Sequence, residues 1–192
     1  EAAEASQGGM VALVGADETQ AEELCDAARG SDVLVPANFN ATGQIVVSGS
    51  AAACDRAVEV AGTMGLRATR LQVAGAFHSP LMAPAAEGMA RALDEVELEP
   101  LNTVVYSNVT GEPHDPANPE LLKKRLIEQL TSPVRWSQDC AALAASLADA
   151  GDDDRPAVHE LAPGKVLKGL FRRIDKTVEV ISHDQPDASP VS

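Results

Sequence analysis

Aromatic side chains make up only 3% of the 192 residues: three Phe, one Tyr and one Trp. A core cannot be built on large rings here, so packing must rest on Ala, Leu and Val, which dominate the 45% hydrophobic content. Basic residues are also short, with 15 Lys and Arg against 29 Asp and Glu, for a net charge of −14. That balance argues against nucleic acid, which rewards a basic surface. No apolar run approaches a membrane span and no signal peptide opens the sequence, so no membrane association and a cytoplasmic setting are expected. Cysteine is scarce. Cys25, Cys54 and Cys140 are odd in number, widely spaced and without a Cys-x-x-Cys, and each falls on the apolar face of a predicted helix. Reduced, buried thiols are the reading that fits. There is no internal repeat and no metal-ligand spacing, so neither metal nor cofactor is expected.

What is present is enough for one or two domains with a real core. Gly9–Val14 reads as a short strand. Asp17 can cap a helix with Ala21, Leu24, Cys25 and Ala28 on one face, and Gly30 ends it. Residues 33–40 read as a second strand, placed at a sheet edge by Pro36. Thr42-Gly43 turns into a third strand over 44–48. Cys54, Ala57, Val58 and Ala61 line the next helix, closed by Gly65, and residues 68–73 form a fourth strand. This β-α-β-β-α-β order is that of a ferredoxin-like domain. Beyond it the pattern predicts a helix from Pro80 to about Val96, a strand over 102–107, and a helix opened by Pro119. Further on come a helix capped by Ser137, a short strand over 157–161, a helix lined by Leu167, Leu170, Phe171 and Ile174, and a strand over 177–181. Residues 151–156 read as a solvated turn and 184–192 as a disordered tail. Strands alternating with helices suggest a parallel sheet covered on both faces.

The stretch Val73-Ala-Gly-Ala-Phe-His-Ser-Pro-Leu-Met82 joins the two halves. Gly75 marks a bend or a close backbone approach. Ser79-Pro80 reads as an N-cap followed by Pro at the first helical position. His78 therefore sits between a strand end and a helix N-terminus, whose dipole disfavours a second positive charge, as suits a general base.

Gly75-Ala-Phe-His-Ser-Pro-Leu-Met82 resembles the active-site histidine segment of the malonyl-CoA:acyl carrier protein transacylases and related acyltransferase domains. Three further strings agree in the family's order: residues 37–49 (ANFNATGQIVVSG), 105–111 (VYSNVTG) and 160–169 (ELAPGKVLKG). The resemblance runs from about Gly8 to Ile181. Thr42 stands where the family usually has Pro, and Ala162 where it usually has Gly. The family's nucleophile is a Ser in a Gly-x-Ser-x-Gly elbow, and this sequence contains none. The chain is accordingly expected to be the C-terminal part of a longer enzyme: residues 1–8 the end of an incoming helix, 9–76 the ferredoxin-like small subdomain, 77–183 the C-terminal part of an α/β-hydrolase-like large subdomain, and 184–192 a flexible tail.

The resemblance implies transfer of a malonyl group from malonyl-CoA to the phosphopantetheine thiol of acyl carrier protein through a Ser ester. It makes His78 the acid/base and assigns the Gln129 backbone carbonyl to hold its other ring nitrogen. Asn38 and Asn40, alternating with Phe39, would line the cleft and contact substrate. Arg67, Arg70, Arg172 and Arg173 would rim the same cleft and dock the carrier protein, and the full-length enzyme would be a monomer. His114, His159 and His183 show no partner in the sequence. Two other classes compete: a non-catalytic ferredoxin-like binding or regulatory module, and a serine hydrolase acting on acyl thioesters.

Overall fold

The computed structural model describes residues 6–148, 156–161 and 163–183. Residues 1–5 of the expected incoming helix, residues 151–155 of the turn expected over 151–156, Ala162 and the tail at 184–192 lie outside them. Two compact units emerge, Glu1–Asp139 and Cys140–Ser192, and each is described by itself.

The first unit opens with β1 (Gly8–Val14), α1 (Glu18–Arg29), β2 (Leu34–Ala41), β3 (Gln44–Ser50), α2 (Ala51–Thr63) and β4 (Arg67–Arg70). The β-α-β-β-α-β order read from the sequence is thus present. The strands form one antiparallel sheet in the order β2-β3-β1-β4. Local chemistry sets the ends of the helices. Asp17 accepts from the Gln20 N–H at 2.8 Å while Gln20 Oε1 accepts from the Asp17 N–H at 3.0 Å, a reciprocal capping box. Ser50 caps α2 by accepting from the Ala53 N–H at 3.2 Å.

Side-chain alternation gives the sheet two different faces. On one, Val11, Leu13, Leu34, Phe39, Ile45 and Val47 meet Ala21, Leu24, Cys25 and Ala28 of α1 and Ala53, Cys54, Ala57 and Ala61 of α2. The small helix residues let both helices lie close, which is how a core this poor in aromatics still excludes water. On the other face Met10, Ala37 and Val46 are buried with Ala12 and Phe77 packed against them.

β2 is an edge strand, as Pro36 predicted, and its register shifts between Pro36 and Asn38 and again between Phe39 and Ala41. Its outer side is covered. Phe39 N–H donates to Val134 O and Val134 N–H to Ala37 O, both at 2.8 Å. This pairing explains why the first unit runs past residue 76 to include the later segments.

After β4 a 3-10 turn (Pro80–Met82) leads into α3 (Ala83–Asp94), two residues shorter than the periodicity suggested. The strand expected over 102–107 shrinks to β5 (Tyr106–Ser107), which pairs antiparallel with β6 (Glu112–Pro113). Val104 is 68% exposed. A strand needs a ladder partner, and among the described residues only Val105 of this segment adds to the pairing, its carbonyl accepting from His114 N–H at 2.8 Å. α4 (Pro119–Glu128) opens at Pro119 under an Asn118 cap, with Leu121 N–H donating to Asn118 Oδ1 at 3.0 Å. α5 (Trp136–Ala148) starts before Ser137, so Ser137 lies in the first turn rather than capping it, and its hydroxyl donates to Gln138 Oε1 at 3.0 Å.

In the second unit β7 (Val158–Glu160) and β8 (Val180–Ser182) pair in parallel around α6 (Val166–Ile174). Buried Glu160 ties these elements together. Its carboxylate accepts from Leu167 N–H at 2.8 Å, Lys168 N–H at 3.2 Å and Ser182 Oγ at 2.7 Å. Burial alone would raise this carboxyl, but those hydrogen bonds and the Lys168 charge hold it below the usual carboxylate range. No helix among the described residues is long and apolar enough to cross a membrane.

Candidate active site

The His78 segment is anchored on both sides. Leu71 N–H donates to Met10 O at 2.9 Å, extending the register of β4. Ala76 is fully buried against Gly8, where an added Cβ would sit 2.5 Å from Ala76 Cβ. Phe77 packs on the second face of the sheet. His78 itself has φ +56°, a left-handed conformation rare for a non-glycine residue. The tight turn between the strand end and Pro80 imposes it. Fully buried Ser79 holds that turn, donating its hydroxyl to Ala76 O at 2.7 Å and accepting from Leu81 N–H at 3.3 Å. A strained backbone at a cost of about 1 kcal/mol persists only where the surroundings over-determine it. Here they do, with one bond on each side of His78.

The half-buried imidazole points its Nδ1 at the backbone carbonyl of Gln129, 2.9 Å away. A carbonyl can only accept, so Nδ1 carries the proton and Nε2 is left with the lone pair. The carbonyl is available because α4 ends there: Gln129 is its C-cap, and the last carbonyls of a helix lack intrahelical partners. The side chain of Gln129 donates from Nε2 to Ser132 O at 3.1 Å and lies 3.5 Å from His78 Nδ1, a longer contact than the 2.9 Å one of the carbonyl. Five residues after Gln129, Val134 is clamped to β2. The turn from 129 to 134 therefore joins the imidazole to the edge of the sheet.

The remaining expected residues fall in different places. Asn38 pairs with Val46, so it lies on the sheet face that Phe77 covers. Asn40 falls in the second register shift of β2. Both are half-buried, and neither hydrogen-bonds to His78. Arg67 and Arg70 do not form one patch, because three positions along a regular strand reverse the face. Arg70 is turned to the helices and bonded to Ala51 O at 2.9 Å and Asp55 Oδ1 at 2.7 Å, whereas Arg67 is exposed on the other side. In the second unit Arg172 and Arg173 are exposed on α6. Arg172 shares a shallow groove with Lys168 and Lys176, which the sequence reading missed. The four-residue spacing of 168, 172 and 176 was the available signal.

Other reactive groups are quiet or misplaced for chemistry. Burial pushes the Cys25 thiol up to about 12 and raises Cys54, so neither is a ready nucleophile. Asp139, buried in α5 with Glu112 nearby, is pushed up to about 6 by burial first and that charge second. Among the described residues no group of three or more His, Cys, Asp or Glu side chains converges.

An imidazole fixed by a carbonyl at Nδ1, with Nε2 left as the base, is equipped for proton transfer to and from a nucleophile. Residues 2–156 match the model of the acyl transferase domain, and the chain belongs to that family. Among curated proteins it is 35% identical over 189 residues to the malonyl CoA-acyl carrier protein transacylase of Bacillus subtilis, covering 97% of this chain and 57% of that protein. It is 31% identical over 189 residues to the transacylase of the same name from Escherichia coli K12, covering 98% and 58%. The chain thus spans somewhat over half the length of these relatives. Its fold matches the crystal structure of the Clostridium perfringens malonyl CoA-acyl carrier protein transacylase with a TM-score of 0.87 at 32% identity, over 97% of this chain and 56% of that one. It also matches a malonyl-transacylase solved in complex with its type II PKS acyl-carrier protein, with a TM-score of 0.85 at 28% identity, over 96% and 57%.

Proposed function

We propose that this chain is the histidine-bearing part of an enzyme that moves a malonyl group from malonyl-CoA to the phosphopantetheine thiol of an acyl carrier protein. The observation that carries the reading is the 2.9 Å contact between His78 Nδ1 and the Gln129 carbonyl. In this account residues 9–76 are a ferredoxin-like small subdomain and residues 77–183 belong to an α/β-hydrolase-like large subdomain. The nucleophilic Ser is assigned to a segment outside this sequence. The whole enzyme is assigned to the cytoplasm, as a monomer.

The proton path is short. His78 Nε2 takes the Ser Oγ–H proton as Oγ attacks the thioester carbonyl. The tetrahedral intermediate collapses, the C–S bond breaks, and Nε2–H returns the proton to the departing coenzyme A thiolate. In the second half the carrier thiol gives its proton to Nε2 and attacks the Ser ester, and Ser Oγ leaves with that proton. The Gln129 carbonyl accepts from Nδ1–H throughout. It keeps the ring in one tautomer and stabilises the imidazolium formed in between.

Asn38 and Asn40 are assigned to the substrate side of the cleft. The cations Lys168, Arg172 and Lys176, with Arg173 and Arg67, are assigned to the carrier protein. Arg70 is a weaker candidate, being held by Asp55.

The test uses the complete reading frame that contains this sequence. With malonyl-CoA and carrier protein it should yield malonyl-carrier protein, and His78→Ala should lower that rate by roughly 10²–10⁴-fold. Release of free malonate at the same rate with and without carrier protein would instead make it a thioester hydrolase.

A further inference from the structure

His159 and His183 have no evident relation in the sequence, yet the structure joins them. His159 of β7 pairs with Ile181 of the parallel β8, and His183, the residue after β8, lies two positions beyond Ile181. His183 N–H donates to Glu160 O at 2.9 Å, which fixes the backbone at this end of the ladder. His159 Nδ1 and His183 Nε2 stand 2.8 Å apart, and the ring centroids are 5.1 Å apart with 28° between the planes. With the nitrogens that close and the centroids that far, the rings meet end to end. One nitrogen donates to the lone pair of the other.

From this juxtaposition we infer that His159 and His183 form a two-imidazole binding site for a divalent transition-metal ion of the nickel, copper and zinc group. Neutral imidazole is a preferred ligand of these ions. Two nitrogens bound at about 2.0–2.1 Å to one ion stand roughly 2.9 Å apart at a right angle and roughly 3.3 Å apart at the tetrahedral angle, so the 2.8 Å separation needs to open by about half an ångström at most. Both rings are exposed, so each can tilt to aim its lone pair at a common point outside the ladder without giving up a core contact. No net proton is lost. The bridging N–H proton passes through solvent to the far nitrogen of its own ring, both facing nitrogens present lone pairs, and water completes the coordination. Glu160 is not a third ligand, because its carboxylate already accepts from Leu167, Lys168 and Ser182. The chain's net charge of −14 raises the local concentration of cations around the site.

The experiment is calorimetric titration of the 192-residue chain with nickel(II) chloride and with zinc(II) chloride, repeated for His159→Gln, His183→Gln, the double variant and His114→Gln. Both rings are exposed, so folding should survive, as checked by an unchanged thermal transition. The expected result is one ion per parent chain. Outer-shell partners of a metal are worth 10–100-fold in affinity, so losing a ligand should weaken binding roughly tenfold or more. The double variant should bind no more tightly than either single one, and His114→Gln should match the parent. In parallel, ¹⁵N spectra of the imidazoles should show the ion perturbing His159 and His183 and exchanging one tautomer. Absence of saturable binding, or equal affinity in the parent and both single variants, would overturn the inference.

Discussion

The backbone carbonyl of Gln129 accepts a hydrogen bond from His78 Nδ1 across 51 residues of sequence, at 2.9 Å. The two partners come from unrelated elements, a left-handed turn at the edge of the sheet and the last turn of α4. What holds them together is the clamp of Val134 on β2 and the seat of Ala76 on Gly8. A main-chain acceptor has a consequence a carboxylate would not have: it cannot be removed by changing its own side chain.

That consequence is testable. Gln129→Ala keeps the carbonyl and loses the side-chain amide's bond to Ser132 O and its longer, 3.5 Å contact with His78 Nδ1. In the complete enzyme it should retain activity within about tenfold of the parent, against a 10²–10⁴-fold loss for His78→Ala. Steady-state rates of malonyl transfer measure both. A loss in Gln129→Ala as large as in His78→Ala would show that the side chain carries the role.

Gly8 is packed where no side chain fits. A Cβ there would lie 2.5 Å from both Ala76 Cβ and the Gly49 carbonyl. Gly8→Ala should destabilise the chain by about 1–3 kcal/mol, the usual cost of overpacking. The thermal transition should fall accordingly, while Gly62→Ala, which meets nothing within 4 Å and lies in a helix, should not lower it.

Asp139 gives a pH dependence of definite sign. Its carboxyl is raised from 3.8 to about 6 by burial and by Glu112, so the folded chain holds a proton the unfolded chain would lose. Stability from this group is full below pH 3.8 and is lost as pH rises through about 6. Asp139→Asn removes the charge, so it should raise stability at pH 8 by about 1–2 kcal/mol, discounted for partial solvent screening, and much less at pH 5. Denaturant melts at the two pH values check it; an equal gain at both would rule out ionisation as the cause.

Lys168, Arg172 and Lys176 line one groove together with Glu179, a basic excess on a chain that is acidic in total, and the proposed docking role makes that groove testable. Lys168→Glu combined with Arg172→Glu should raise KM for carrier protein in the complete enzyme. The rate of enzyme acylation by malonyl-CoA should barely change. Equal losses in both half-reactions would point to misfolding of α6 instead.

Much of this was legible in the sequence because it is local chemistry. Asp17 with Gln20, Ser50, Gly30 and Asn118-Pro119 announce helix ends through groups that act within three or four residues. The apolar spacing of Ala21, Leu24, Cys25 and Ala28 announces a buried face. Pro36 places its strand at an edge. What stayed hidden depends on distant partners. Residues 102–104 have strand propensity but join no ladder among the described residues. Arg67 and Arg70 read as a pair until the pleat separates them. The left-handed backbone of His78 is set by Ser79 bridging Ala76 and Leu81, a turn that no propensity of His would suggest. His159 and His183 meet only because β7 and β8 pair in parallel.

The central claim is that this chain supplies the base of the reaction and not the nucleophile. Ser79, next to His78, is fully buried and bonded on both sides, and burial raises the thiols of Cys25 and Cys54. The most direct measurement is the intact mass of the purified 192-residue chain after incubation with malonyl-CoA, beside that of the complete enzyme. The account predicts one malonyl group on a Ser of the complete enzyme and no covalent gain on the 192-residue chain. A stoichiometric adduct on Ser79, or on any Cys of this chain, would contradict it.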